Sequence, residues 1–316
     1  MKYQANILVL VLALVFVSCS QKQEHDTERS MYYWRTVFAL SDKEREFLQE
    51  HNISRLYIRF FDVVLNEAGE PMPNATIAFK DFGGERKENT IPENLEVVPT
   101  VFITNDCMTA RHEDLAEKLF KRVMQMCDTH NIKNVNEIQI DCDWTTSTRK
   151  EFFRFLEDVR SLAKKQGIGL SATIRLHQLS QPVPPVDRGV LMVYNTGDVT
   201  QLDCHHPILD MADVKQYLPN LKKYNLKLSA AYPLFTWKVL FRNRKYVGIM
   251  HSDDDLPVMR TDSIAVRQPD MQHIMEAKNA IDRLREDAHS EIILYDLSEQ
   301  NITLFIDKDY EKIYSR

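Results

Sequence analysis

Eight short segments of this chain carry the β-branched, aromatic or alternating pattern of a strand, and helical periodicity lies between most of them. The expected strands are 32–36, 55–64, 96–104, 137–144, 169–177, 189–194, 227–232 and 291–297. The expected helices are 42–51, 113–129, 148–166, 211–224 and 269–287, each with apolar residues three and four apart, as in Leu115, Leu119, Val123 and Met126. Ser41 and Thr146 are expected N-caps, with Glu44 closing a capping box on Ser41. Eight strands with intervening helices is the count of a (β/α)8 TIM-like barrel. The second and seventh βα links are irregular. Residues 66–94 are rich in Pro and Gly where a helix would stand, and 234–268 read as a hairpin around Arg242-Asn243-Arg244 followed by a long loop. A doubly wound open sheet is the rival, but it holds its ligand on a glycine-rich turn. This chain has 8 glycines, no G-x-G-x-x-G and no P-loop.

The segment Glu137-Ile138-Gln139-Ile140-Asp141-Cys142-Asp143-Trp144 alternates strictly. Ile138, Ile140 and Cys142 should pack on the helices, and Gln139, Asp141 and Asp143 should point into the barrel. Carboxylates at i and i+2 on one strand face lie roughly 6–7 Å apart at Cα. Like charges that close raise each other's pKa unless cations stand nearby. In 169–177 the same alternation sends Ser171, Thr173, Arg175 and His177 inward, and in 55–64 Arg59 should share a face with Tyr57 and Phe61. The four charged groups Arg59, Arg175, Asp141 and Asp143 then form either a ligand site at the C-terminal rim or an ionic layer that fills the barrel. For hydrolysis Asp143 is the first choice for one role; Asp62 and Asp296, at the ends of strands 2 and 8, are candidates for the other, and His177 for proton donation. Trp34, Trp144, Tyr194, Tyr232 and Trp237 lie near strand ends, where they stack on a sugar or pack the core.

Ile140-Asp141-Cys142-Asp143-Trp144 resembles the strand-4 motif D-x-x-D-x-D-W-E of the chitinase-like family 18 glycoside hydrolases. Leu191-Met192-Val193-Tyr194-Asn195 is similar to their strand-6 M-x-Y-[DN] signature. The resemblance implies a barrel acting on a glycan, with Asp143 orienting an acetamido group and Tyr194 and Asn195 near the reacting centre. The family's first Asp is Ile138 here, and its catalytic Glu is Thr145, which leaves the leaving oxygen without a proton donor from this strand. The resemblance covers about a dozen of the 316 residues.

The N-terminus has one early charge, Lys2, an apolar run over 7–17, and then Phe16-Val17-Ser18-Cys19 before a polar stretch. The run is about half the roughly 20 residues a spanning helix needs and suits a signal peptide. It resembles the lipobox of bacterial lipoproteins, with Phe16 where Leu is preferred. The chain as a whole looks like a group of Bacteroidetes-type lipoproteins with glycosidase-like barrels. That implies a signal over 1–18, a lipid on Cys19, a tether over 19–30, and a barrel over 31–316 held at the cell envelope, on the outer membrane of a Gram-negative bacterium. Losing Lys2 with the signal moves the formal charge from −6 to −7. With no dense basic stripe, nucleic acid is not an expected partner; a glycan or other small molecule and, through the lipid, a membrane are.

No metal or cofactor is expected. Cys107, Cys127, Cys142 and Cys204 stand singly with no C-x-x-C, His205-His206 are adjacent, and no H-E-x-x-H or G-x-S-x-G occurs. Asp253-Asp254-Asp255 lacks EF-hand spacing and reads as a solvated run. Two functions from different classes follow: a barrel that binds, and with a borrowed acid hydrolyses, a glycan, or a catalytically silent barrel serving as a binding or assembly module of an envelope complex.

Overall fold

Alternate residues of eight parallel strands separate into two apolar layers. Ile58, Ile138, Ile140, Ile174, Leu191, Ala230, Ile292 and Leu294 join the large core against the helices. Tyr32, Tyr57, Val98, Val190, Met192, Ala231 and Ile293 form a smaller one within the barrel. The computed structural model describes residues 27–79, 91–133, 135–250 and 255–316, so Cys19, its signal and most of the tether lie outside the described residues. The strands are β1 (Glu28–Tyr33), β2 (Arg55–Leu65), β3 (Glu96–Ile103), β4 (Glu137–Asp141), β5 (Gly169–Arg175), β6 (Arg188–Met192), β7 (Leu228–Pro233) and β8 (Glu291–Tyr295). Each pairs in parallel with the next, and β1 pairs with both β2 and β8, which closes the barrel. All eight expected strands are present.

Helices α1 (Asp42–Glu50), α2 (Leu115–Thr129), α3 (Arg149–Lys165), α4 (Met211–Val214), α5 (Leu218–Leu221), α6 (Met271–Asp282) and α7 (Asp307–Tyr314) cover the outside. Ser41 and Glu44 form the expected capping box on α1, with Ser41 N donating to Glu44 Oε2 at 2.9 Å. On α3 the N-cap is Thr148, not Thr146: Thr148 Oγ1 accepts from Thr145 N at 2.9 Å and donates to Asn105. The helix expected over 211–224 is two single turns. Pro219 removes one amide donor and its ring would strike the Lys215 carbonyl, so the chain breaks between them. The last helix, α7, was not expected; Tyr310, Ile313 and Tyr314 bury its inner face. Among the described residues, no helix is long and apolar enough to cross a membrane.

Among the described residues, the two irregular links hold extra strands, and the seventh keeps its helix, α6, after them. After β2 the chain turns at Asn66–Gly69, where Gly69 has φ +77, and Pro71–Asn74 runs back antiparallel along β2. After β7, Trp237–Arg242, Lys245–Met250 and Asp262–Arg267 form an antiparallel sheet. Its first turn is the expected hairpin, with Asn243 at φ 49 and Arg244 at φ 63. The third strand replaces part of the expected loop.

An ionic layer fills the floor of the barrel, at the N-terminal ends of the strands. Glu291 accepts from Ser30 at 2.6 Å, Ser229 at 2.8 Å and Tyr57 at 3.0 Å, and pairs with Arg55 at 3.0 Å and with Arg188. Arg188 also holds Glu137 at 2.7 Å, and Arg55 holds Glu96 and Glu28 at 3.0 Å each. Burial pushes the Glu291 carboxyl up, but Arg188 and Arg55 more than offset it and bring it down to about 2.

Candidate functional site

Asp141 is the last residue of β4, and the alternation persists past the strand end. Asp141 and Asp143 therefore reach the C-terminal mouth, while Cys142 and Trp144 turn into the outer core. One residue of β5 meets both carboxylates. Arg175 Nη2 donates to Asp141 Oδ1 at 3.1 Å and Arg175 Nε to Asp143 Oδ1 at 2.5 Å. Asp141 also accepts from Thr173 Oγ1 at 2.6 Å and is only 5 % exposed. Burial raises its carboxyl above the usual range, with Arg175 pulling the other way and Asp143 adding to the rise. Asp143 is the open member of the pair, with 57 % of its side chain exposed.

These groups line a cleft of about 250 Å³ beside the ends of β4, β5 and β6. His177, on a 3-10 turn after β5, stands exposed on its rim. Tyr194 faces Arg175 from the end of β6; burial raises its phenol, and the guanidinium partly opposes that rise. Asn195, next along, adopts φ 54, and its amide donates to Ile208 O at 2.6 Å, which folds the loop back over the cleft wall. Tyr217 completes the lining.

An aromatic wall continues from this cleft along the mouth. Tyr194 stacks on Tyr295 with centroids 5.3 Å apart, Tyr295 meets Trp34 at 5.4 Å, and Tyr194 meets Phe235 at 5.8 Å. Trp237 packs behind Phe235 at 5.1 Å.

On β2 a bulge resets the alternation. Arg59 pairs with Thr100 and Phe61 with Val101, so Phe60 is the extra residue. Phe61 therefore joins the outer core and not the face of Tyr57, a correction to the expected pattern. Asp62 takes the inward place and forms a close two-point pair with Arg59, with Nε donating to Oδ1 at 2.7 Å. The Arg59 guanidinium lies 5.4 Å from the Trp34 ring centre.

The geometry separates the residues singled out from sequence. It brings together Asp141, Asp143, Arg175, His177, Tyr194 and Asn195 at the cleft, with Trp34, Arg59 and Asp62 on the same mouth. It takes three others away. Trp144 is fully buried against Phe152 and Phe153, and Tyr232 is fully buried with its hydroxyl 2.8 Å from His289 Nε2, so neither offers a face to a sugar. Asp296 lies on the far side of Tyr295, accepts from Asn301 Nδ2 at 2.7 Å, and is pushed by burial to about 6. It is not a cleft carboxylate. Thr145 is exposed and shares hydroxyl hydrogen bonds with Ser147 and Thr148.

Similarity to solved structures is confined to the backbone. No protein-family model and no curated protein matches the sequence. A spore cortex-lytic enzyme of Bacillus cereus superposes with a TM-score of 0.56 at 14% identity, over 91% of this chain and 73% of that one. A chitinase from Bacteroides thetaiotaomicron gives 0.56 at 13% identity, over 91% and 96%. The catalytic domain of an Ostrinia furnacalis Group II chitinase, solved with penta-N-acetylchitooctaose, gives 0.54 at 10% identity, over 86% and 90%. The chain has the barrel fold of these enzymes.

Tyr295 and Tyr217 were not singled out as site residues beforehand. Tyr295 was findable, because Glu291, Ile293 and Tyr295 share one face of β8, and it is that face which looks inward. Tyr217 is hidden by the helical pattern of 211–224, and it is the break imposed by Pro219 that brings it to the cleft.

Proposed function

We propose that this chain is a glycan-binding barrel that holds a sugar in the Asp143–Arg175–Tyr194 cleft without hydrolysing it. The observation that carries this reading is the fate of the two strand-4 carboxylates. One guanidinium holds both, Asp141 is covered, and position 145 offers a hydroxyl. Hydrolysis by the two-carboxylate route needs a proton donor at the leaving oxygen and a base or nucleophile across the bond. Asp143 is ion-paired and acts as an acceptor, Asp141 cannot reach a ligand, and Asp62 is tied to Arg59. What remains suits recognition: an exposed carboxylate, an asparagine, a histidine and tyrosine faces. The fold neighbours support a sugar as the ligand, one of them having been solved with a chitooligosaccharide.

Titration calorimetry with chitooligosaccharides and a panel of bacterial glycans should detect binding, while assays for new reducing ends stay at background. Turnover by the wild type that is lost in Asp143→Asn would end the non-hydrolytic reading.

The same proposal places the barrel at the cell envelope through a lipid on Cys19, because the apolar run stops at that cysteine and the sequence turns polar after it. Radioactive palmitate should label the wild type and leave Cys19→Ala unlabelled. Equal labelling of the two would remove the anchor.

A further inference from the structure

We infer that the cleft selects a cationic amino sugar, a hexosamine whose nitrogen is a free ammonium, over N-acetylated or carboxylated sugars. The inference rests on the glycan-binding reading and adds the charge class of the ligand. Among the described residues, the mouth holds three carboxylates, Asp62, Asp141 and Asp143, against two guanidiniums, Arg59 and Arg175. Arg59 and Asp62 neutralise each other in a two-point pair. Arg175 is then the single cation for two carboxylates, and both take it through one oxygen, Oδ1. One negative charge is left over, and exposure decides where it can be met. Asp141 is covered and already accepts from Thr173, whereas Asp143 opens into the cleft with its Oδ2 free of any hydrogen bond among the described residues.

The rest of the lining adds no lysine or further arginine beside Asp143: Tyr194, Asn195 and Tyr217 are uncharged polar groups, and His177 stands out on the exposed rim. An ammonium at Asp143 Oδ2 gains a charge-assisted hydrogen bond, while the sugar ring lies along the tyrosines. An acetamide offers the same oxygen a neutral N–H only. A uronate brings a second negative charge to a mouth that already has one in excess.

The test compares β-1,4-linked tetramers of glucosamine, N-acetylglucosamine and mannuronate by calorimetry on the folded protein at pH 7 and low salt. The glucosamine tetramer should bind about tenfold more tightly than its acetylated counterpart, as a hydrogen bond to a charged group implies. Added salt should narrow the gap, and Asp143→Asn, checked for an unchanged melting temperature, should erase it. Equal or tighter binding of the acetylated tetramer overturns the charge inference and leaves the glycan-binding reading standing. If none of the three tetramers binds and the glycan panel is also silent, the reading beneath it falls as well.

Discussion

Glu291→Gln should melt about 10 °C below the wild type, as expected when a buried ion network loses its only shared anion. Glu291 is the acceptor on which Arg55, Arg188, Ser30, Ser229 and Tyr57 converge. A glutamine keeps the volume but leaves Arg188 with the peripheral Glu137 and Arg55 with Glu96 and Glu28. Breaking a buried pair on one side costs about 3–5 kcal/mol. The pH dependence has a definite sign. The folded-state carboxyl is depressed from 4.5 to about 2, so its contribution is fully present above pH 4.5 and is lost as pH falls through about 2. A shift of that size corresponds to roughly 3 kcal/mol. Thermal scans between pH 2 and pH 7 should show a steep acid limb in the wild type and a flatter one in Glu291→Gln. Superimposable scans would mean that the floor network adds nothing to stability.

Arg175→Leu should abolish measurable glycan binding and lower stability by about 3 kcal/mol, the lower range for orphaning a buried charge. Without the guanidinium, Asp141 keeps Thr173 as its one remaining hydrogen-bond donor among the described residues and loses the cation it shares with Asp143. Burial already raises the Asp141 carboxyl, and removing Arg175 raises it further. A carboxyl whose folded pKa lies above its unfolded value weakens the fold as pH rises past the unfolded value. The deficit of Arg175→Leu relative to wild type should therefore shrink on acidification from pH 8 to pH 5, the opposite direction from Glu291→Gln. Chemical denaturation at the two pH values reads this directly. A deficit that grows on acidification would show that Asp141 is not the group left exposed.

The barrel was legible because each strand carries its own signal: alternation in 137–144 and 169–177, and Val, Ile or aromatic density elsewhere. The mouth was only partly legible. Residues i and i+1 on a strand cannot face the same way, so once Asp143 points into the cleft Trp144 must point out. Proximity to a strand end was a weaker guide than parity. Parity itself failed on β2, where the extra residue Phe60 exchanges the roles of Phe61 and Asp62; nothing local in Phe60-Phe61 marks a bulge. The ionic layer considered for Asp141, Asp143, Arg59 and Arg175 does exist, but at the other end of the barrel and with other residues. Arg55, Arg188 and Glu291 each open a strand, and their charge is visible in the sequence while their meeting point depends on closure. The break in 211–224 was available from Pro219, since a proline so placed cannot continue a helix begun at Met211.

The chain enters β1 at Glu28, on the same floor that Arg55, Arg188 and Glu291 seal. The cleft opens at the opposite rim, a strand length of roughly 20 Å away. A lipid held upstream of Glu28 would therefore grip the barrel by its closed base and leave the aperture facing outward. In that proposed posture the aperture would meet free oligosaccharides and polymer ends on its own side of the bilayer and would turn its back on sugars rooted in the bilayer itself.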